Sequence, residues 1–148
     1  GKARSRGVEL ETQMELTAGF SATFNYTYAD SKIIANDLDP LSVGQQIGGV
    51  PRNRASVGFT YVSPRGWRVT PQFRWLQASF ADNDHTLPVD AQHIVDLAAS
   101  YSFSGSAEVF VRIENLFNQR YIADNSGFNP PLRGTPLSAF VGAKLSFR

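Results

Sequence analysis

The chain closes on Gly134-Thr135-Pro136-Leu137-Ser138-Ala139-Phe140-Val141-Gly142-Ala143-Lys144-Leu145-Ser146-Phe147-Arg148, and the reading of this stretch decides the fold. Leu137, Ala139, Val141, Ala143, Leu145 and Phe147 fall on one parity, with Ser138, Gly142, Lys144 and Ser146 on the other. Side chains of an extended strand point alternately to opposite faces, so this period of two predicts a strand with one apolar face. Only Phe140 is out of phase. A chain ending on such a strand is expected to close a sheet.

The same period recurs upstream. Val109, Val111 and Ile113 oppose Glu108, Phe110, Arg112 and Glu114, while Val95, Leu97, Ala99, Tyr101 and Phe103 oppose Asp96, Ala98, Ser100 and Ser102. Trp67, Val69, Pro71, Phe73 and Trp75 alternate with Arg68, Thr70, Gln72 and Arg74; Ala55, Val57, Phe59 and Tyr61 alternate with Arg54, Ser56, Gly58 and Thr60. Residues 20–28 and 6–16 repeat the pattern, the latter with Glu9, Glu11 and Glu15 on its polar side. About seven strands are therefore predicted. Pro71 withholds a ladder donor and is expected at a bulge or an irregular pair. Asn115-Leu116 breaks the alternation, which predicts either a bulge or a functional residue there.

The connections alternate in length. Turns near Thr17, Pro64 and Gly105 are a few residues each, whereas residues 33–49, 81–91 and 118–136 form long polar intervals rich in turn formers. In an antiparallel meander that alternation collects every short turn at one end and every long loop at the other, as in bacterial outer-membrane barrels. A soluble antiparallel barrel with its apolar set inside would satisfy the alternation alone, but has no reason to sort its loops. The faces agree with the membrane reading: one parity is nearly free of charge, and a cation at the bilayer midplane costs about 2–4 kcal/mol. Trp67, Trp75, Tyr28, Tyr61, Tyr101 and Phe147, near strand ends, are expected to form interfacial girdles.

Composition narrows the function classes. Fourteen Lys and Arg stand against thirteen Asp and Glu, a net charge of +1 with no basic stripe for nucleic acid. Cysteine is absent, which removes disulfides and thiolate metal sites. No run of 18 apolar residues predicts a transmembrane helix, a test that barrel strands escape. The polar opening Gly1-Lys2-Ala3-Arg4-Ser5-Arg6 is not a signal peptide, and reads as a start inside a barrel.

The run Glu114-Asn115-Leu116-Phe117-Asn118-Gln119-Arg120-Tyr121, followed by Arg133-Gly134-Thr135-Pro136 and the terminal amphipathic strand, resembles the C-terminal end of TonB-dependent outer-membrane receptors. Gly7-Val8-Glu9-Leu10-Glu11, Asn25-Tyr26-Thr27-Tyr28-Ala29-Asp30 and Val50-Pro51-Arg52-Asn53 fit the same family less specifically. Such receptors usually end on an aromatic residue; here Arg148 follows Phe147. The resemblance implies an all-β fold, an antiparallel transmembrane β-barrel meander of about seven strands forming the C-terminal part of a 22-stranded barrel. Residues 1–148 would be one such segment, with the plug domain absent from it. It further implies a place in the bacterial outer membrane, no enzymatic activity, no cofactor, and import of a large scarce solute such as a ferric siderophore. Partners implied are outer-membrane lipid, the rest of the barrel and its plug, the TonB-ExbB-ExbD complex that energises transport, and the solute. Alternatives are a complete small barrel acting as a passive channel or anchor, and an outer-membrane enzyme with acid and base on its loops.

Catalytic motifs are missing: there is no G-x-S-x-G, and the glycines near Gly48 open no helix. His85 beside Asp84, and His93 three residues from Asp96, read first as solvated residues at strand entrances, and a metal would want more convergent ligands. Glu108, Arg112, Glu114 and Lys144 are expected to pair across the last two strands on the lumen side. Ligand contacts belong on long loops and the lumen-facing residues beside them. The candidates are Gln45, Gln46, Arg52, Arg54, Arg74, His85, Asn125, Phe128 and Arg133, the arginines suiting an anionic chelate.

Overall fold

The computed structural model describes residues 1–125 and 130–146, and of Ser104 only the backbone. Its strands in chain order are β1 (Lys2–Thr17), β2 (Phe20–Ala35), β3 (Asn53–Val62), β4 (Trp67–Leu76), β5 (Ser79–Phe80), β6 (Pro88–Val89), β7 (Gln92–Ser104), β8 (Ala107–Glu114), β9 (Ile122–Asp124), β10 (Leu132–Arg133) and β11 (Ser138–Leu145). Seven of them form one antiparallel sheet ordered β1-β2-β3-β4-β7-β8-β11, and β5–β6 and β9–β10 are two-stranded ribbons inside long loops. The predicted meander of about seven strands is the observed one.

Register explains why one face is apolar over the body of the sheet. Thr12 lies opposite Phe24, Phe24 opposite Val57, Val57 opposite Phe73, and Phe73 opposite Val95. Leu97 then faces Ile113, which faces Ala139. Side-chain period and strand pairing thus keep like with like, since a one-residue slip would send every apolar group to the wet face. Phe110 and Phe140 are exceptions on the polar face, and the Phe110 ring lies against Gly142, where a Cβ would collide with it.

Among the described residues no dry core underlies the sheet. The accessible surface is 10283 Å², against about 7,500 Å² for a compact globular chain of this size. Among the described residues the buried hydrophobics are Ala22, Ile33 and Ile94, whereas Phe24 is 38% and Val141 82% exposed. A soluble sandwich or barrel would bury that set, so the apolar face is one that meets lipid.

Two strand ends differ from expectation. β1 begins at Lys2, and β2 continues past Tyr28 to Ala35, shifting the first long interval from residues 33–49 to residues 36–52. Asp30, Ser31 and Lys32 interrupt the apolar alternation, but the ladder with β1 continues, with Ser5 and Ser31 hydroxyls bonded at 2.8 Å and Ile33 buried. Backbone pairing, blind to side-chain polarity, carries the hairpin on. Pro71 faces Leu97 in regular register, and the ladder to β3 is interrupted between Gly58–Gln72 and Tyr61–Val69 without a shift.

Aromatic rings gather at the short-turn end: Phe20 and Tyr61 have centroids 4.4 Å apart, Trp67 and Tyr101 4.6 Å, Tyr101 and Phe103 4.8 Å. Trp75 faces His93, and Tyr28 faces Asn53, at the long-loop end. The rings thus stand at both ends of the strands, where interfacial girdles were expected; Phe147 lies outside the described residues. The predicted charge network is rearranged. Lys144 does lie opposite Glu108, but the close ion pair is Arg112–Glu114 at 3.0 Å, along β8 rather than across to β11.

Candidate functional site

The three long loops are tied to one another. His85 Nε2 donates to the carbonyl oxygen of Gln46 at 2.9 Å, since a carbonyl can only accept. The same ring stacks on Phe80 at 4.5 Å and 8°. The Gly49 amide donates to the Phe80 carbonyl at 2.7 Å and the Gly48 amide to Asn83 Oδ1 at 2.9 Å. Asn125 Nδ2 donates to the Pro88 carbonyl at 3.2 Å, and Gln92 Nε2 to the Ile122 carbonyl at 3.3 Å, which brings in the third loop. Between them lies a cleft of about 390 Å³ whose lining includes Pro51, Gln77, Asp90, Gln92 and Asp124.

Asp82 organises the second loop. Its carboxylate accepts from the Thr86 hydroxyl at 2.6 Å, the Thr86 amide at 3.1 Å and the Leu87 amide at 2.9 Å. The Thr86 hydroxyl first, then these amides, stabilise the ionised form and hold the carboxyl below its ordinary range.

Below the loops the polar face carries Arg54 and Arg74, which line a shallow groove of about 220 Å³ with Asn25, Thr27 and Ser56. Arg74 Nε donates to Asp96 Oδ2 at 2.7 Å, while Arg54 forms no ion pair with any described residue. Asp96 Oδ1 also accepts the Asn115 amide at 2.9 Å. Asn115 is 2% exposed; its Nδ2 donates to the carbonyls of Gln119 and Thr135, both at 2.9 Å, and its Oδ1 accepts the Gln119 amide at 2.8 Å. It is therefore neither a bulge in the ladder nor a free polar group, but a clamp closing the loop after β8. Gly134 completes that closure, since the Tyr121 ring occupies the space a Cβ would need.

The candidate residues separate into groups. Gln46 joins His85 and Arg52, accepting from Arg52 Nε at 3.4 Å; Gln45 is its neighbour, accepting the Ile33 amide at 3.1 Å. Arg54 and Arg74 share the groove below, Asn125 reaches the second loop, and Arg133 stands exposed on β10. Phe128 lies outside the described residues. Asp82, Asn83, Asp96 and Asn115 were not among the candidates; the broken alternation at Asn115 was the one signal available. Among the described residues no three His, Cys, Asp or Glu side chains converge as a metal site.

A single antiparallel sheet, lipid-compatible on one face and charged on the other, with short turns at one end and braced loops at the other, is the wall of an outer-membrane β-barrel. Residues 1–116 match the family described as TonB dependent receptor-like, beta-barrel, and the chain belongs to it, a family of outer-membrane transport receptors rather than enzymes. The match ends at Leu116, yet β11 pairs with β8 in regular register, so the sheet runs on beyond it. An uncharacterized TonB-dependent receptor of Haemophilus influenzae is 32% identical over 137 residues, 86% of this chain and 40% of that protein. The ferrichrome outer membrane transporter/phage receptor of Escherichia coli is 27% identical over 131 residues, 83% of this chain and 17% of its own. BauA, the ferric preacinetobactin receptor of Acinetobacter baumannii, shares the fold with a TM-score of 0.85 at 19% identity, covering 98% of this chain and 22% of that one. The chain thus spans less than half the length of these relatives.

Proposed function

We propose that residues 1–148 are the C-terminal barrel segment of an active transporter that imports a ferric siderophore, the plug and the remaining strands lying elsewhere in the full-length protein. Energy would come from the TonB-ExbB-ExbD complex acting through the plug. The observation that carries this reading is the arrangement at the loop end, where braced loops stand over a polar face bearing Arg54 without an ion-pair partner among the described residues. Such a cation, beside the Arg74–Asp96 pair, suits an anionic chelate entering from outside. The names of two relatives, a ferrichrome transporter and a ferric preacinetobactin receptor, support the solute class. Gln45, Gln46, Arg52, Arg54, Arg74, His85, Asn125, Phe128 and Arg133 are the assigned contact residues.

The test uses the full-length receptor. A strain lacking it is grown on single ferric siderophores as the iron source, and the purified receptor is titrated with the chelate that fails to support growth. Arg54→Ala is expected to weaken binding roughly tenfold, the scale of one charge-assisted contact. Growth undiminished on every siderophore, with no chelate bound, would sink the reading.

A further inference from the structure

The lipid-facing parity of the sheet is almost free of formal charge, and its exceptions are all in one place. Along β3, β4, β7, β8 and β11 this parity holds no Lys, Arg, Asp or Glu. On β1 it runs Lys2, Arg4, Arg6 and then Val8, Leu10, Thr12, Met14, Leu16; on β2 it ends with Asp30, Lys32 and Ile34. Register sets Arg6 opposite Asp30 and Arg4 opposite Lys32, so these charges form one cluster on the outward side of the hairpin. Lys2 lies just past a register shift at the strand start.

Depth follows from strand geometry. Val8 to Leu16 spans about 27 Å along the strand, or about 21 Å of height at the usual barrel tilt, nearly the whole apolar band of about 25 Å. Leu16 is at the short-turn end, so Arg6 and Arg4 stand at and just above the outer border of the hydrocarbon, at headgroup level. Their outward direction does not depend on what pairs with the free edge of β1, since side chains stand perpendicular to a sheet.

Charge balance then selects the partner. Asp30 Oδ1 is shared by Lys32 Nζ at 3.2 Å and Arg52 at 3.6 Å, so the one carboxylate of the cluster is already engaged, while Arg4 and Arg6 are exposed and form no ion pair with any described residue. We infer that Arg4, Arg6 and Lys32 bind the phosphate groups of a phosphorylated glycolipid of the outer leaflet, with its acyl chains lying along Val8 and Leu10. Guanidinium forks match phosphate oxygens two by two, and the apolar band continues directly beneath them. The inference goes beyond solute import and rests on the outward face alone, so the identity of the solute does not bear on it.

The test is lipid retention by the full-length receptor, purified from outer membranes in mild detergent. Lipid A per receptor is counted by native mass spectrometry after a delipidating wash, then after adding back bisphosphorylated or dephosphorylated lipid A. Heat-modifiable migration on gels monitors folding. In the Arg4→Ala, Arg6→Ala, Lys32→Ala variant, retained bisphosphorylated lipid A is expected to fall roughly tenfold, the scale of lost charge-assisted phosphate contacts. Arg4→Lys, Arg6→Lys should keep most of it, and dephosphorylated lipid should not be retained. Should the triple variant not assemble, Arg4→Gln, Arg6→Gln reads the same loss. Unchanged retention in the neutral variants, or equal retention of dephosphorylated lipid, overturns the inference. Displacement of the lipid by millimolar inorganic phosphate overturns it too, because the cluster would then be a site for soluble anions.

Discussion

At Asn115 the backbone enters the left-handed region with φ of 52°, a conformation asparagine tolerates better than most residues. Its buried amide then satisfies two carbonyls and one amide of the closing loop. Asn115→Ala would leave those groups without partners and place alanine at positive φ, a loss on the order of 3 kcal/mol. Urea unfolding of the full-length receptor should show the lowered midpoint, with faster hydrogen exchange at the Gln119 amide; an unchanged midpoint would mean water replaces the side chain without cost. The sequence flagged this position only as a break in period, because the groups it serves, at Gln119 and Thr135, are joined to it by folding and not by spacing. Asp96 was hidden more thoroughly: it reads as one more polar residue on the wet parity, and its bonds to Arg74 and Asn115 come from other strands.

Elements show a different division. The hairpin β1–β2 was legible as two alternating runs joined at Ala18-Gly19, yet its last turn of ladder, where Asp30 to Lys32 are polar, was not, since pairing there is backbone work. The ribbon β5–β6 was invisible, its two-residue strands lying before and within the polar interval 81–91; Asp82 capping Thr86 and Leu87 gives it shape. That cap should be sensitive to acid. A carboxyl held below its ordinary value contributes stability above the usual carboxylate range and loses it as pH falls through the lowered value. Hydrogen exchange of the Thr86 and Leu87 amides should therefore accelerate on acidification beyond the intrinsic pH trend, and Asp82→Asn should flatten that dependence. A wild-type profile identical to the variant's would show that the cap does not hold the loop.

For the molecule as a whole, the inverted arrangement of faces makes neighbouring residues unequal. Phe73 sits between Val57 and Val95 on the lipid side, and Gln72 between Gly58 and Asp96 on the wet side, at the same depth. Phe73→Arg should cost about 2–4 kcal/mol in the folding of the full-length receptor into vesicles, and Gln72→Arg little, since it faces Asp96. Equal costs would mean that the assignment of faces is wrong. By itself this sequence determined the seven strands of the main sheet, their apolar parity and the sorting of short turns from long loops, because a period of two is a local property that each strand carries alone. Only the tertiary structure decided which loops brace one another and which polar residues meet, His85 with Gln46 and Arg74 with Asp96, at separations of 39 and 22 residues. Such meetings depend on register accumulated across several strands, and no single stretch of sequence encodes it.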